Sequence, residues 1–159
     1  MTKGRIAFQG ELGANSHEAC VAAFPDMEPV PHASFEEAFD AVKHGDCQLG
    51  MIPVENSIAG RVADVHHLLP SSGLKIIGER FKPIHFQLMV NPGVSLEEVE
   101  VATSMPIALG QCRKTIRRLK LRAEPVGDTA LAAKLLAANP DRSRAAISPA
   151  LSAELYGLE

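Results

Sequence analysis

The chain has 159 residues, 46% of them apolar and 22% charged, with a net charge of −3. That is the balance of one globular domain or two small lobes, and it excludes a disordered, collagen-like or coiled-coil chain. No Trp, a single Tyr and a pI of about 6.1 leave no stacking platform and no overall cationic grip for nucleic acid, and no apolar run approaches the ~18 residues of a membrane helix.

In chain order, residues 5–9 read as a strand, followed by a Gly turn and a helix over 15–24. Residues 27–31 are a short extended piece. Ser34-Phe35-Glu36-Glu37 is a capping box that opens a helix to about His44, because a Ser side chain and a Glu three residues later satisfy each other's end of the first turn. Residues 49–54 are an apolar run of buried-strand type, followed by a loop and a helix near 62–69. Residues 74–78 and 84–90 read as strands, and Ser95-Leu96-Glu97-Glu98 as a second capping box. Residues 101–104 are a strand. The helix predicted over 108–120 carries Leu109, Cys112, Ile116 and Leu119 on one face. A strand over 122–126, an Ala/Leu-rich helix over 129–138, a strand over 145–148 and a helix over 149–155 complete the pattern. Strands alternating with helices predict an α/β protein with mostly parallel sheets.

Charge is uneven. Residues 1–79 hold five Lys/Arg and eleven Asp/Glu, whereas residues 80–159 hold eleven and eight. This asymmetry predicts two separately built lobes, 1–79 and 80–159, with Pro83 and Pro92-Gly93 at the join. Cys20, Cys47 and Cys112 are odd in number and lack CxxC spacing, so free thiols in a reducing compartment are expected rather than disulfides or zinc. The charged start Met1–Arg5 is followed by only three apolar residues; that is no secretory signal, and the cytoplasm is the expected location.

Four places carry candidate chemistry. The turn Gly10-Glu11-Leu12-Gly13-Ala14-Asn15-Ser16 precedes a helix, whose N-terminal N–H groups attract anions; on its own it reads first as a plain turn capped by Asn15 or Ser16. Glu55-Asn56-Ser57 follows an apolar strand, at the end where α/β sheets bind ligands. Glu55 suits a general acid if burial raises its pKa, and Asn56 and Ser57 suit orienting a polar ligand or capping the next helix. Thr103-Ser104 ends another strand and leads to Gln111-Cys112; Cys112 itself reads as a buried small hydrophobe. Arg113, Lys114, Arg117, Arg118, Lys120 and Arg122 fall opposite the apolar seam, a solvated basic face or a means of steering an anionic substrate. The histidines do not cluster: His66 and His67 point about 100° apart on a helix, so no metal site is expected.

Taken together, these motifs resemble prephenate dehydratase. The match runs through Phe8-Gln9-Gly10 with Gly13-Ala14-Asn15-Ser16, Ile52-Pro53-Val54-Glu55-Asn56-Ser57 with Gly60, Gly78-Glu79, Ala108-Leu109, Gln111-Cys112, Asp128-Thr129-Ala130, Ala145-Ala146-Ile147 and Tyr156-Gly157-Leu158. The resemblance implies a two-lobed fold of the type II periplasmic-binding-protein kind with its site in a cleft between lobes. It implies decarboxylative dehydration of prephenate to phenylpyruvate in phenylalanine biosynthesis, by a hydro-lyase with no metal or organic cofactor. The alternatives are arogenate dehydratase, or a non-catalytic module of the same fold that binds a small carboxylate. By the same resemblance Asn56, Ser57, Ser104 and Gln111 orient the substrate and Glu55 supplies electrostatics or acid catalysis. Gln9, Gly10, Ala14, Ser16, Gly60, Cys112 and Thr129 shape or line the binding pocket. The expected partners are the small-molecule substrate and, in the full-length form, further copies in a dimer or tetramer, with no nucleic acid or membrane.

Three positions depart from the family's pattern. Asn15 stands where the family usually has an aromatic residue, and Met105 and Ile107 stand where it has His and Gln. The family's Thr-Arg-Phe motif and ACT regulatory domain lie beyond its Tyr-Gly-Leu segment. The expectation is therefore a truncated chain with little or no dehydratase activity of its own.

Overall fold

The computed structural model describes residues 3–159; Met1 and Thr2, part of the charged start noted above, lie outside the described residues. The fold divides into two compact units, one of residues 3–11 and 15–83, the other of residues 12–14 and 84–159.

The first unit is organised by β1 (Arg5–Gln9), whose centre Ile6-Ala7-Phe8 is fully buried. Side chains alternate across a strand, and both faces of β1 are covered. Ile6 and Phe8 pack with Cys20 of α1 (Asn15–Ala23), Phe24, Met27, Leu49 and Met51. Ala7 packs with Ala38 and Ala41 of α2 (Phe35–Lys43) and with Cys47, Val30, Val42 and Ile52. Each fully buried large side chain here contributes roughly 1.5–3 kcal/mol. β2 (Glu28–His32) pairs parallel to β1, with Pro29 and Pro31 opposite Ile6 and Phe8. Proline is tolerated there because the sheet order β2-β1-β3 leaves β2 at an edge.

Local signals set the start of α2. Ser34 Oγ accepts from Glu37 N at 3.2 Å, but the Glu37 carboxylate reaches back to Ala33 N at 2.9 Å, one residue earlier than the expected reciprocal box. The run over 49–54 is corrected to a two-residue strand, β3 (Leu49–Gly50). Pro53 offers no N–H to a ladder, and Val54 is exposed. Next comes a hairpin, β4 (Glu55–Asn56) against β5 (Gly60–Arg61), and then α3 (Ala63–Ser71). The strand expected over 74–78 is absent, and Ile76 and Ile77 are 71% and 75% exposed.

The second unit has a four-stranded sheet of order β6-β9-β7-β8, built from β6 (Gln87–Met89), β7 (Val101–Ser104), β8 (Arg122–Pro125) and β9 (Arg144–Ser148). Only β6 runs antiparallel, beside β9; it is shorter than the strand expected over 84–90. The second capping box opens a single helical turn at residues 96–98, where Ser95 N donates to Glu98 Oε2 at 2.9 Å. One sheet face packs against α4 (Pro106–Arg118) through Ala102, Ile147, Leu109 and Ile116. The other packs against α5 (Thr129–Ala138) through Met89, Ala146, Ala132, Ala133 and Leu136. Mixed α/β architecture with mostly parallel sheets is what the alternation of elements predicts.

The C-terminal end of α4 is closed by paired bonds, from Lys120 N to Arg117 O and from Leu121 N to Ile116 O. That motif puts its first residue past the cap in the left-handed region, and Lys120 has φ +57. It is the only non-glycine residue with positive φ among the described residues. Lys120→Gly is expected to raise stability by about 0.5–1 kcal/mol, since glycine carries no Cβ penalty there. Urea denaturation checks this, and a loss of stability would contradict it.

Glu98 forms a two-armed pair with Arg142, Arg142 Nε to Oε1 and Nη2 to Oε2, both at 2.7 Å. The guanidinium, with the Ser95 N–H, pulls the Glu98 carboxyl down to about 2. A carboxyl depressed on folding adds stability above its unfolded pKa near 4.5 and loses it as pH falls toward 2. NMR titration is therefore expected to show Glu98 protonating near pH 2, and Arg142→Gln to move its midpoint up toward 4.5. An unmoved midpoint would show that the Ser95 N–H alone holds it down.

Candidate functional site

In the first unit the candidates gather at two places. At the end of β1, Gln9 Nε2 reaches Ala33 O at 3.5 Å. Gly10 has φ +114 and donates its N–H to His32 O at 2.9 Å; a side chain at that dihedral would be strained. Ser16 lies half-buried in the first turn of α1. Asn15 does not cap the helix through its Oδ1, which is buried without a hydrogen-bond partner, as is His32 Nε2. His17, in the same turn, stacks on Phe8 with ring centroids 5.5 Å apart. Burial lowers its pKa, opposed by the neighbouring Glu18.

The second place is the β4–β5 hairpin, which brings Glu55, Asn56, Ser57 and Gly60 together. Glu55 is registered opposite Arg61 and Asn56 opposite Gly60. Asn56 Oδ1 accepts from Ile58 N and Ala59 N, both at 2.9 Å. Asn56 thus ties off the hairpin turn rather than capping α3, whose N-cap Val62 makes no side-chain bond. Glu55 and Ser57 are exposed at the strand end and turn, so the burial expected to make Glu55 a general acid is absent: the two-residue strand carries it out of the core. Gly60 has φ +81 with open space around it, so the backbone conformation is what requires glycine there.

In the second unit Ser104 ends β7 fully buried, and its hydroxyl donates to Ile147 O at 2.6 Å. That bond uses its proton and leaves the oxygen as an acceptor. Thr103 is likewise used, donating to Ala145 O at 3.1 Å. Gln111 is half-buried on α4. Cys112 packs against the Ala102–Ile147 face and borders an apolar cavity of about 100 Å³ lined by Phe86, Leu119 and Leu121 among others. Burial pushes its thiol pKa up, the property of an inert small hydrophobe rather than a nucleophile. Thr129 is 2% exposed at the start of α5, behind the Asp128 cap, which accepts from Ala130 N and Leu131 N.

A buried hydroxyl relay escaped the sequence reading. Ser148 and Ser152 are both 0% exposed and 2.7 Å apart, and Ser152 Oγ donates to Gly13 O at 3.1 Å. Since Ser152 gives its proton to Gly13, Ser148 is the donor to Ser152. Tyr156 Oη donates to Leu12 O at 2.8 Å. Ala14 beside them is buried. The only available signal was two serines four apart in an apolar stretch, straddling Pro149. The Tyr-Gly-Leu segment now has a physical account. Tyr156 ties Leu12, Gly157 closes α6 (Ala150–Tyr156) at φ +66, and Leu158 joins the core.

Residues 6–159 match the family model of prephenate dehydratase. The chain belongs to the prephenate dehydratase family. It is 43% identical over 157 residues to arogenate dehydratase 1 of Petunia hybrida, covering 98% of this chain and 37% of that protein. It is 40% identical to a bifunctional N-acyl-homoserine lactone acylase/prephenate dehydratase of Komagataeibacter europaeus, covering 97% and 55%. Among solved structures, a prephenate dehydratase from Arthrobacter aurescens in complex with L-Phe superposes with a TM-score of 0.89 at 27% identity, covering 98% of this chain and 53% of that one. The fold is therefore that of the prephenate dehydratases, of the type II periplasmic-binding-protein kind, and the chain spans roughly a third to a half of the relatives it matches.

Proposed function

We propose that this chain is catalytic-domain sequence of a prephenate dehydratase, converting prephenate to phenylpyruvate with loss of water and carbon dioxide in phenylalanine biosynthesis. The observation that carries this reading is the family match over residues 6–159, joined to a hairpin that groups Glu55, Asn56 and Ser57. The reaction expels the ring hydroxyl and the carboxylate, and aromatisation drives it. The protein's part is to protonate the leaving hydroxyl and to hold two carboxylates. Proton transfer from a positioned group is worth typically 10²–10⁴-fold. Glu55, exposed where a substrate can reach it, is the candidate for electrostatics or acid catalysis, although the burial an acid role calls for is absent, with Ser57 beside it as an orienting hydroxyl. Asn56 fixes the turn that presents both. Ser104, Gln111, Cys112 and Thr129 belong to the second unit; Ser104 and Thr129 act there through placement of the strand end and helix start.

Arogenate is the second reading, favoured by relatives named arogenate dehydratase. Two further proposals complete the assignment: a reducing cytoplasmic location, which free Cys20, Cys47 and Cys112 suit, and assembly of the intact enzyme as a homo-oligomer. The test is to supply the protein carrying this sequence with prephenate and, separately, arogenate, and to follow phenylpyruvate and phenylalanine. A larger kcat/KM for prephenate is expected. A larger value for arogenate moves the assignment to arogenate dehydratase, and binding of either without turnover moves it to a carboxylate-binding module.

A further inference from the structure

Positive charge in this protein is concentrated in one place. Residues 113–122 hold six Lys/Arg and no acid, while the other 149 residues hold ten Lys/Arg against nineteen Asp/Glu, a net of −9. Four of the six cations, Arg113, Lys114, Arg117 and Arg118, are exposed on α4. At about 100° per residue they fall within a sector of roughly 140°, opposite the Leu109–Ile116 seam. They form two adjacent rows of like charges four residues apart, Arg113 with Arg117 and Lys114 with Arg118, and such pairs destabilise a helix. α4 contains no Asp or Glu, and among the described residues none of the four makes an ion pair. The cations near the C-terminal end of α4 gain something from the helix dipole, but Arg113 and Lys114, mid-helix, do not. The rows flank an open depression of about 440 Å³ lined by these four side chains. Three of the four are arginines, whose planar forks grip phosphate oxygens in pairs.

We propose that this face of α4 binds a compact polyphosphate, a di- or triphosphate either free or as the tail of a nucleotide. Such an anion lies along the furrow and meets both rows at once, whereas a single carboxylate engages one fork and leaves the other charges unmatched. A long nucleic acid is disfavoured because it would run beyond a patch only about 7.5 Å long along the helix axis, on a chain whose remaining residues are net acidic. The site is independent of the dehydratase reading, since it uses none of the hairpin or strand-end residues.

Calorimetric titration of the chain with inorganic triphosphate, ATP, citrate and a single-stranded oligonucleotide tests this at low ionic strength. Triphosphate is expected to bind, and to weaken by more than tenfold as salt rises from about 0.01 to 1 M and the Debye length shrinks from ~30 to ~3 Å. Equal affinity for ATP assigns the site to the phosphate chain alone; tighter ATP binding assigns it to a nucleotide. R113E/K114E is expected to weaken binding about tenfold or more. Thermal stability should hold or rise in that variant, because each introduced carboxylate sits four residues before an arginine, Arg117 or Arg118, which is the favourable orientation. Absence of triphosphate binding, equal binding of citrate, tighter binding of the oligonucleotide, or an affinity unmoved by R113E/K114E overturns the proposal.

Discussion

Gly13→Ala is expected to destabilise the second unit by about 3–5 kcal/mol. Gly13 has φ +96, where an L side chain is strained. A Cβ there would lie 2.6 Å from Ser152 Oγ, 3.1 Å from Ser152 Cα and 3.3 Å from its Cβ. The first of these neighbours is not the far end of a flexible chain. Ser152 Oγ is held between Ser148 and the Gly13 carbonyl, and its Cα belongs to α6. The substitution therefore adds backbone strain of about 1–3 kcal/mol to an overpacking cost of similar size, and it breaks the Ser152–Gly13 bond. Thermal melting would read this as a fall of very roughly 6–20 °C. Adding Ser152→Gly to Gly13→Ala removes the Oγ and Cβ clash but not the dihedral strain, so about half the loss should return. Ser152→Ala alone should cost about 1–3 kcal/mol by deleting its bond to Gly13 O and leaving the buried Ser148 hydroxyl without its acceptor. A Gly13→Ala protein within about 0.5 kcal/mol of the parent would mean that the loop shifts freely, and the relay would have no structural weight.

The same glycine shows where sequence reading reaches its limit. Elements with strong local causes were legible: β1 through its apolar core, α5 through its Ala/Leu run, and the apolar seam of α4. Strand pairing is non-local, and there the reading failed. Residues 74–78 have the composition of a strand, but composition supplies no partner edge, and Ile76 and Ile77 stand in solvent. Residues 49–54 look buried by hydropathy, yet Pro53 has no N–H to give and only two residues pair. Gly13 read as part of an anion-binding turn because its neighbour in sequence is a helix start, whereas its neighbour in space is Ser152, 139 residues away. At the candidate site, Glu55-Asn56-Ser57 was legible as a group, while the hairpin that holds it was not, because its two bridging pairs are too short to leave a period-2 signature. Ser104 read as a ligand group from its position at a strand end; its proton is in fact committed to Ile147 O across the sheet, a bond that only the β7–β9 register reveals.

Asn56 is where structure and chemistry meet most closely, and its substitution is expected to give the largest loss of activity in the protein carrying this sequence. The Asn56 Oδ1 gathers the Ile58 and Ala59 N–H groups, so it fixes the turn between Glu55-Asn56 and Gly60-Arg61 and with it the directions of Glu55 and Ser57. Asn56→Ala deletes that acceptor. The freed N–H groups lie in an exposed hairpin and turn to water, so global stability should change by less than about 1 kcal/mol. The catalytic cost should be larger, about 1.5–3 kcal/mol in kcat/KM, roughly 10- to 200-fold, because on the proposed function misplacement of the Glu55 carboxyl and the Ser57 hydroxyl is felt in the transition state. Asn56→Asp separates the two ways in which this residue can act. A carboxylate still accepts from both N–H groups, so if Asn56 works by holding the turn, Asp recovers most of the rate. If instead the amide N–H₂ contacts a substrate carboxylate, Asp replaces a donor with a like charge and should lose at least as much as Ala. Steady-state kinetics on the three proteins, with denaturation curves alongside, decide between them. Full activity in both variants would remove the hairpin from the site and leave Glu55 without its assigned role.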